Sequence, residues 1–204
     1  MWPTGFNILT YNSETGVTSD AAAPGSLSLA VSPDINKQGL NDIRAYYASE
    51  NGYIQEVGTD FDGPNEGVWY MWQDFSDTDT NSGVSTVISN LWIHLYVRSV
   101  SSGGMRRSPW NYNQASNTSW RHGRPGPTFP SDSDVAAVSN GAGTDYVFYQ
   151  DQNGNLVRVV SEGQQFINEQ PVVSIDPGAK LSAVYNSSSS AAVVYYKRTV
   201  RIAR

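Results

Sequence analysis

Two stretches about a hundred residues apart share one pattern: DIRAYYASENGYIQEV (42–57) and TDYVFYQDQNGNLVRV (144–159). Each runs as an aromatic-rich segment, an Asn-Gly turn and a second apolar segment. Apolar residues alternate with period two, and Asn-Gly between two such segments is a strong hairpin signal. The frame recurs while its charges change: Arg44 and Glu56 in the first stretch align with Tyr146 and Arg158 in the second. Stacked units of one fold must pack alike, but their polar positions are free to diverge.

Working outward, the same frame appears four times. Short apolar segments SLSLAVS (26–32), VSTVISN (84–90), DVAAVSN (134–140) and LSAVYNS (181–187) predict an inner strand in each unit. A second strand follows each one: IRAYYAS (43–49), IHLYVRS (93–99), YVFYQDQ (146–152) and AAVVYYK (191–197). Three units continue with YIQEV (53–57), MRRSPW (105–110) and NLVRVV (155–160), then with VWYMWQDF (68–75), TSWRHG (118–123) and QQFINEQ (164–170). A repeat of 40–50 residues, each unit a meander of four strands, predicts a β-propeller. No segment carries a sustained helical period. The fourth unit lacks its outer strands, whereas GFNILTYNSETGVTSD (5–20) reads as two outer strands without inner ones. The expectation is therefore a single all-β domain over 1–204: a β-propeller of four blades, each of four antiparallel strands. Strands from the two termini would share one blade and remove free sheet edges.

Composition agrees with many short strands joined by polar turns. Of 204 residues only 16% are charged, with 18 Gly and abundant Ser, Asn and aromatics. Cysteine is absent, which excludes a disulfide framework and a thiol nucleophile. No run of 18 apolar residues occurs, so no membrane span is expected. The start MWPTGFNILT has neither a basic region nor an apolar run, so no signal peptide is visible, and secreted and cytoplasmic locations both stay open. The net charge of −6 argues against nucleic acid as a partner. Charge is nonetheless uneven. Residues 42–79 hold nine acids and one base, while 94–124 hold five arginines, both histidines and no acid.

The pattern Ile43, Arg44, Tyr46, Tyr47, then Ile54, Gln55, Glu56, then Trp69 resembles a blade of the fungal fucose-specific lectins. The likeness is close over 42–72 and extends to strand order elsewhere. In that family an Arg and a Glu of a blade bond sugar hydroxyls while a Trp stacks on the sugar's apolar face. The resemblance thus implies a sugar site made by Arg44, Glu56 and Trp69, with Trp72 as an alternative stacking partner. An Arg fork and a carboxylate supply fixed donors and acceptors to adjacent hydroxyls, and an indole covers C–H groups. The other blades depart from the pattern. The Arg position becomes His94, Tyr146 and Val193, and the Glu position becomes Arg107 and Arg158, so neither combination offers a carboxylate. Family members usually have more blades than the four counted here, and one intact site would gain from homo-oligomerisation.

A second class of function is an enzyme built on the lectin ring, of the pericyclase or hetero-Diels–Alderase type in fungal natural-product biosynthesis. Such chemistry needs positioning and hydrogen bonds, not a nucleophile. Its candidate set is Trp92, His94, Arg107, Trp110, Tyr112, Trp120 and His122, with His94, Arg107, Tyr112 and His122 as the polar members. No G-x-S-x-G or H-E-x-x-H motif is present. Oxygen ligands alternate at Asp77, Asp79 and Asn81 as in calcium loops, but the glycine is one place late and Ile88 stands where a Glu is needed. That stretch reads as a turn between blades, and neither a metal nor a cofactor is expected. The expected partner is a sugar or small-molecule ligand.

Overall fold

The computed structural model describes residues 27–32, 42–49, 52–60, 70–89, 92–111, 120, 123 and 125–196. Among them the regular structure is entirely β. The first sheet orders β1 (Leu27–Ser32), β2 (Asp42–Ala48), β3 (Ile54–Asp60) and β4 (Tyr70–Phe75). The second orders β5 (Ser85–Ser89), β6 (Trp92–Arg98), β7 (Gly104–Asn111) and β8 (Pro125–Thr128), and the third β9 (Val135–Ser139), β10 (Thr144–Gln150), β11 (Asn155–Glu162) and β12 (Gln165–Ser174). A hairpin of β13 (Leu181–Asn186) and β14 (Ala191–Tyr196) follows. Every pairing is antiparallel between chain neighbours, so each sheet is a meander.

The inner strands touch in succession, β1 with β5, β5 with β9 and β9 with β13, as blades do around a propeller axis. A middle strand packed between two neighbouring blades is buried on both faces, its polar residues included. In β6, Ile93 to Val97 are all buried. The cores accordingly lie between blades. Tyr46, Ile54 and Phe75 of the first blade pack with Ile93, Leu95 and Val97 of the second. Tyr96, Met105 and Phe129 pack with Val147, Tyr149 and Val159 of the third, and Phe148 and Leu156 face Leu181 and Val194 of the hairpin.

The Asn-Gly signals mark turns. In the third blade the Asp151 N–H donates to Asn155 O at 2.9 Å and Gly154 sits at φ 79°, closing a three-residue loop. That conformation is nearly free for glycine and strained for other residues. Gly52 takes the same φ in the first blade. The fourth strand of the second blade departs from expectation. It is described at 125–128, where Gly104 pairs with Thr128 and Arg106 with Pro125, and of the expected segment 118–123 only Trp120 and Gly123 are among the described residues. Pro125 and Pro127 argue against a strand in the sequence, yet an outermost strand tolerates residues that cannot donate. The shared blade expected from residues 5–20 lies outside the described residues.

Candidate functional site

Register makes the blades comparable position by position. Arg44 pairs with Gly58 and Tyr46 with Glu56 in the first blade, His94 with Pro109 and Tyr96 with Arg107 in the second, and Tyr146 with Val160 and Phe148 with Arg158 in the third. Successive side chains point to opposite faces of a blade. Each blade therefore presents one set of these positions to the cleft ahead of it, while the residue one place earlier faces the cleft behind. Those earlier residues are Ile43, Ile93 and Asp145.

In the first cleft, Arg44 Nη1 donates to Glu56 Oε1 at 2.7 Å, and the Tyr46 hydroxyl donates to the same oxygen at 3.0 Å. Trp120, from the second blade's segment, donates its indole N–H to Glu56 Oε2 at 2.8 Å. The Arg44 guanidinium lies over the Trp110 ring, 4.0 Å from its centroid. The structure thus joins Arg44 and Glu56 as the sequence implies, but places Trp110 and Trp120 against them. Glu56 is only 1% exposed, and Trp120 is wedged edge-on against Phe75 and Tyr46. Its three bonds use acceptor directions that a bound hydroxyl would also need.

The second cleft is assembled differently. His94 Nδ1 lies 2.5 Å from Asp145 Oδ2, and the Tyr96 hydroxyl donates to that oxygen at 2.6 Å. On the other side of the imidazole, Arg107 Nη2 is 2.6 Å from His94 Nε2. Guanidinium can only donate, so Nε2 accepts and the proton sits on Nδ1, directed at Asp145. The histidine is neutral: burial and then the nearby Arg107 charge hold its pKa below the ordinary value, and Asp145 opposes them without prevailing. Burial works to raise the Asp145 pKa, but the bonds from His94 and Tyr96 outweigh it and keep the carboxyl below its ordinary value. Burial and then Asp145 keep the Tyr96 phenol protonated. The expectation that this blade lacks a carboxylate is corrected here. Its own strands have none, but the third blade supplies Asp145 across the cleft. The available signal was an acid at 145 where the register otherwise holds Ile43 and Ile93.

A cavity of about 300 Å³ opens at this cleft, and Ser89, Trp92, His94, Arg107 and Gln164 are among its lining residues. The enzyme candidate set is therefore divided: Trp92, His94 and Arg107 line the cavity, while Trp110 and Trp120 serve the first cleft. Both nitrogens of His94 are engaged, which leaves no free base. Beyond the third blade, Tyr146 stacks on Tyr185 of β13 at 6.0 Å and 13° between planes, and Arg158 bonds Gln170 at 2.8 Å.

Trp69, Tyr112 and His122 lie outside the described residues, and Trp72 is described only as a position in β4. Asp77 and Asp79 do not converge on an ion. Asp79 Oδ2 accepts from Arg98 Nη1 at 2.6 Å and its Oδ1 from the Asn81 N–H at 3.0 Å, an Asx turn. Burial works to raise the Asp77 pKa, but the bonds it accepts from Ser99 and Ser101, together with the Arg106 charge, outweigh it and hold the carboxyl below its ordinary value. These carboxylates fasten the loop between blades, and Asn81 is exposed.

No protein-family model and no curated protein matches the chain. Solved structures do. The Aleuria aurantia lectin, a six-bladed propeller, superposes with a TM-score of 0.68 at 17% identity over 90% of this chain and 58% of its own. The lectin SapL1 gives 0.62 at 19% identity over 89% and 59%, and AofleA from Arthrobotrys oligospora 0.61 at 15% over 85% and 50%. The chain thus spans between half and three-fifths of the length of these proteins. Consecutive meanders with touching inner strands and cores between blades agree with those superpositions: the chain has the β-propeller fold of the fungal fucose-specific lectins, at low sequence identity to them.

Proposed function

We propose that this protein is a carbohydrate-binding propeller module that takes fucose or a related sugar in its first cleft and performs no chemistry on it. The observation that carries this reading is the Arg44–Glu56 pair, held in one cleft by Tyr46 with the indoles of Trp110 and Trp120 against it. The similar Aleuria lectin recognises fucose, and SapL1 is solved with a methyl fucoside. A sugar hydroxyl would take the Glu56 Oε2 acceptor from Trp120, Arg44 would donate to a neighbouring oxygen, and an indole would cover the C–H face. The enzyme reading has no comparable support, since its residues do not gather in one place.

Calorimetry with methyl α-L-fucoside tests the proposal, with tryptophan fluorescence reporting the exchange at Trp120. Binding should be saturable, and Glu56→Gln should weaken it at least about tenfold, the equivalent of one hydrogen bond to a charged group. Absence of heat and of any fluorescence change with the parent protein refutes it.

The same reading holds that β13 and β14 are the inner half of a fourth blade, completed by residues 5–20 into a closed ring of four. The similar Aleuria lectin has six blades, so the competing arrangement is an open arc of blades. Solution scattering separates the two, because a closed, compact monomer of this length has a radius of gyration of about 17 Å. A clearly larger value excludes the four-bladed ring.

A further inference from the structure

The second cleft differs from the first in the sign of the charge at its wall. In the first, the guanidinium of Arg44 meets its own carboxylate within one blade. In the second, Arg107 occupies the Glu56 register and meets a neutral imidazole. Among the described residues its guanidinium bonds only His94, its Nε has no partner, and the residue is 7% exposed. The compensating carboxylate, Asp145, is fully buried behind His94 and does not line the cavity. Arg107, His94 and Asp145 thus form a neutral but polarised row with its positive end at the cavity. A buried cation without an anionic partner is costly, and a bound anion removes that cost.

Three other features of the cavity narrow the ligand. Ser89 is among the lining residues, and its buried Oγ has no hydrogen-bond partner among the described residues. Trp92 presents a half-buried indole beside His94, with ring centroids 6.5 Å apart. A volume of about 300 Å³ lies at the low end for small-molecule sites and suits one ring. The protein's net charge of −6 opposes an anion from afar, but ions screen that field beyond about 10 Å at 0.1 M salt, while contact with Arg107 is hardly screened.

We propose that the cleft between the second and third blades binds an acidic monosaccharide, its carboxylate paired with Arg107 and its apolar ring face on Trp92. That the ligand is an anion rests on Arg107. That the anion is carried by a sugar ring rests on the carbohydrate-binding reading above. The protein would then offer two chemically distinct sugar sites in adjacent clefts of one scaffold.

The test compares methyl β-D-glucuronide with its methyl ester and with methyl β-D-glucoside by calorimetry on the unaltered chain. Only the acid should bind at millimolar concentration, and added salt should weaken it. Arg107→Gln should lower its affinity at least about tenfold, the equivalent of one charged hydrogen bond. Trp92→Ala should also lower it, and Arg158→Gln, in the same register of the third blade, should not. Equal binding of acid and glucoside, no heat with the acid, or parental affinity in a folded Arg107→Gln protein overturns the proposal. If Arg107→Gln fails to fold, the comparison of acid with ester on the parent still decides. Fucoside is titrated separately, so its failure counts against the first cleft alone.

Discussion

The contact that organises the second cleft, Tyr96 to Asp145, can be measured by a double-mutant cycle. The hydroxyl and the carboxylate are 2.6 Å apart, on different blades and both fully buried. A hydrogen bond to a charged acceptor contributes about 1.5–3 kcal/mol net, and no exposure discounts it here. Tyr96→Phe alone should cost about that amount, because Oδ2 keeps its bond from His94. Asp145→Asn should cost more, about 2–5 kcal/mol, since it weakens the acceptor for two buried donors and directs an amide N–H₂ at one of them. The double variant should be less destabilised than the sum by about 1.5–3 kcal/mol. Urea unfolding followed by tryptophan fluorescence and far-UV circular dichroism gives each value, provided that the two probes coincide and the slope is unchanged. Tyr46→Phe, in the first cleft, should combine additively with Asp145→Asn. A coupling between Tyr96 and Asp145 below about 0.5 kcal/mol would be ordinary additivity and would refute the reading that Asp145 belongs to this cleft.

Acid should weaken the fold in two stages. The His94 pKa is lower folded than its ordinary 6.5, so the unfolded chain binds more protons just below that value. Stability is then complete above pH 6.5 and declines as pH falls. Asp145, also lowered, adds a further loss starting near its ordinary 3.8. His94→Gln should flatten the fall in Tm between about pH 7 and 5, and an unaltered profile would count against a neutral buried His94. Gly83→Ala would drive a methyl into the Asp134 carboxylate and the Val135 backbone nitrogen, so a loss of about 1–3 kcal/mol is expected in thermal unfolding, and parental Tm would contradict it. Thr78 is buried, donates to Phe75 O at 2.6 Å and accepts from the Ile54 N–H at 3.0 Å. Thr78→Val should cost about 1–3 kcal/mol, lowering Tm by several degrees in a chain of this size.

The amino-acid sequence by itself determined the strands. Period-two alternation, Asn-Gly turns and a recurring inner-strand phrase place β1–β3, β5–β7, β9–β11 and the last hairpin close to where they lie, because each signal is local to its segment. Fourth strands were less legible. β4 falls within its expected segment and β12 begins within its own but runs on to Ser174, while β8 sits several residues later in a Pro-rich stretch that pairs only along the outer edge of its blade. The Arg44–Glu56 pair was also legible, since both residues belong to one hairpin and twelve positions separate them.

Only the tertiary structure decided which residues share a cleft. Trp120 reaches Glu56 across 64 positions, and His94 reaches Asp145 across 51, and no local pattern encodes either meeting. The adjacent residues Asp145 and Tyr146 show the reason most plainly. In a strand, neighbouring side chains leave by opposite faces, and in a propeller those faces open on different clefts. Asp145 therefore completes the polar row of the second cleft, while Tyr146 stacks on Tyr185 in the third. A hairpin read alone makes the second blade a site without an acid, and the packing of the next blade against it supplies one.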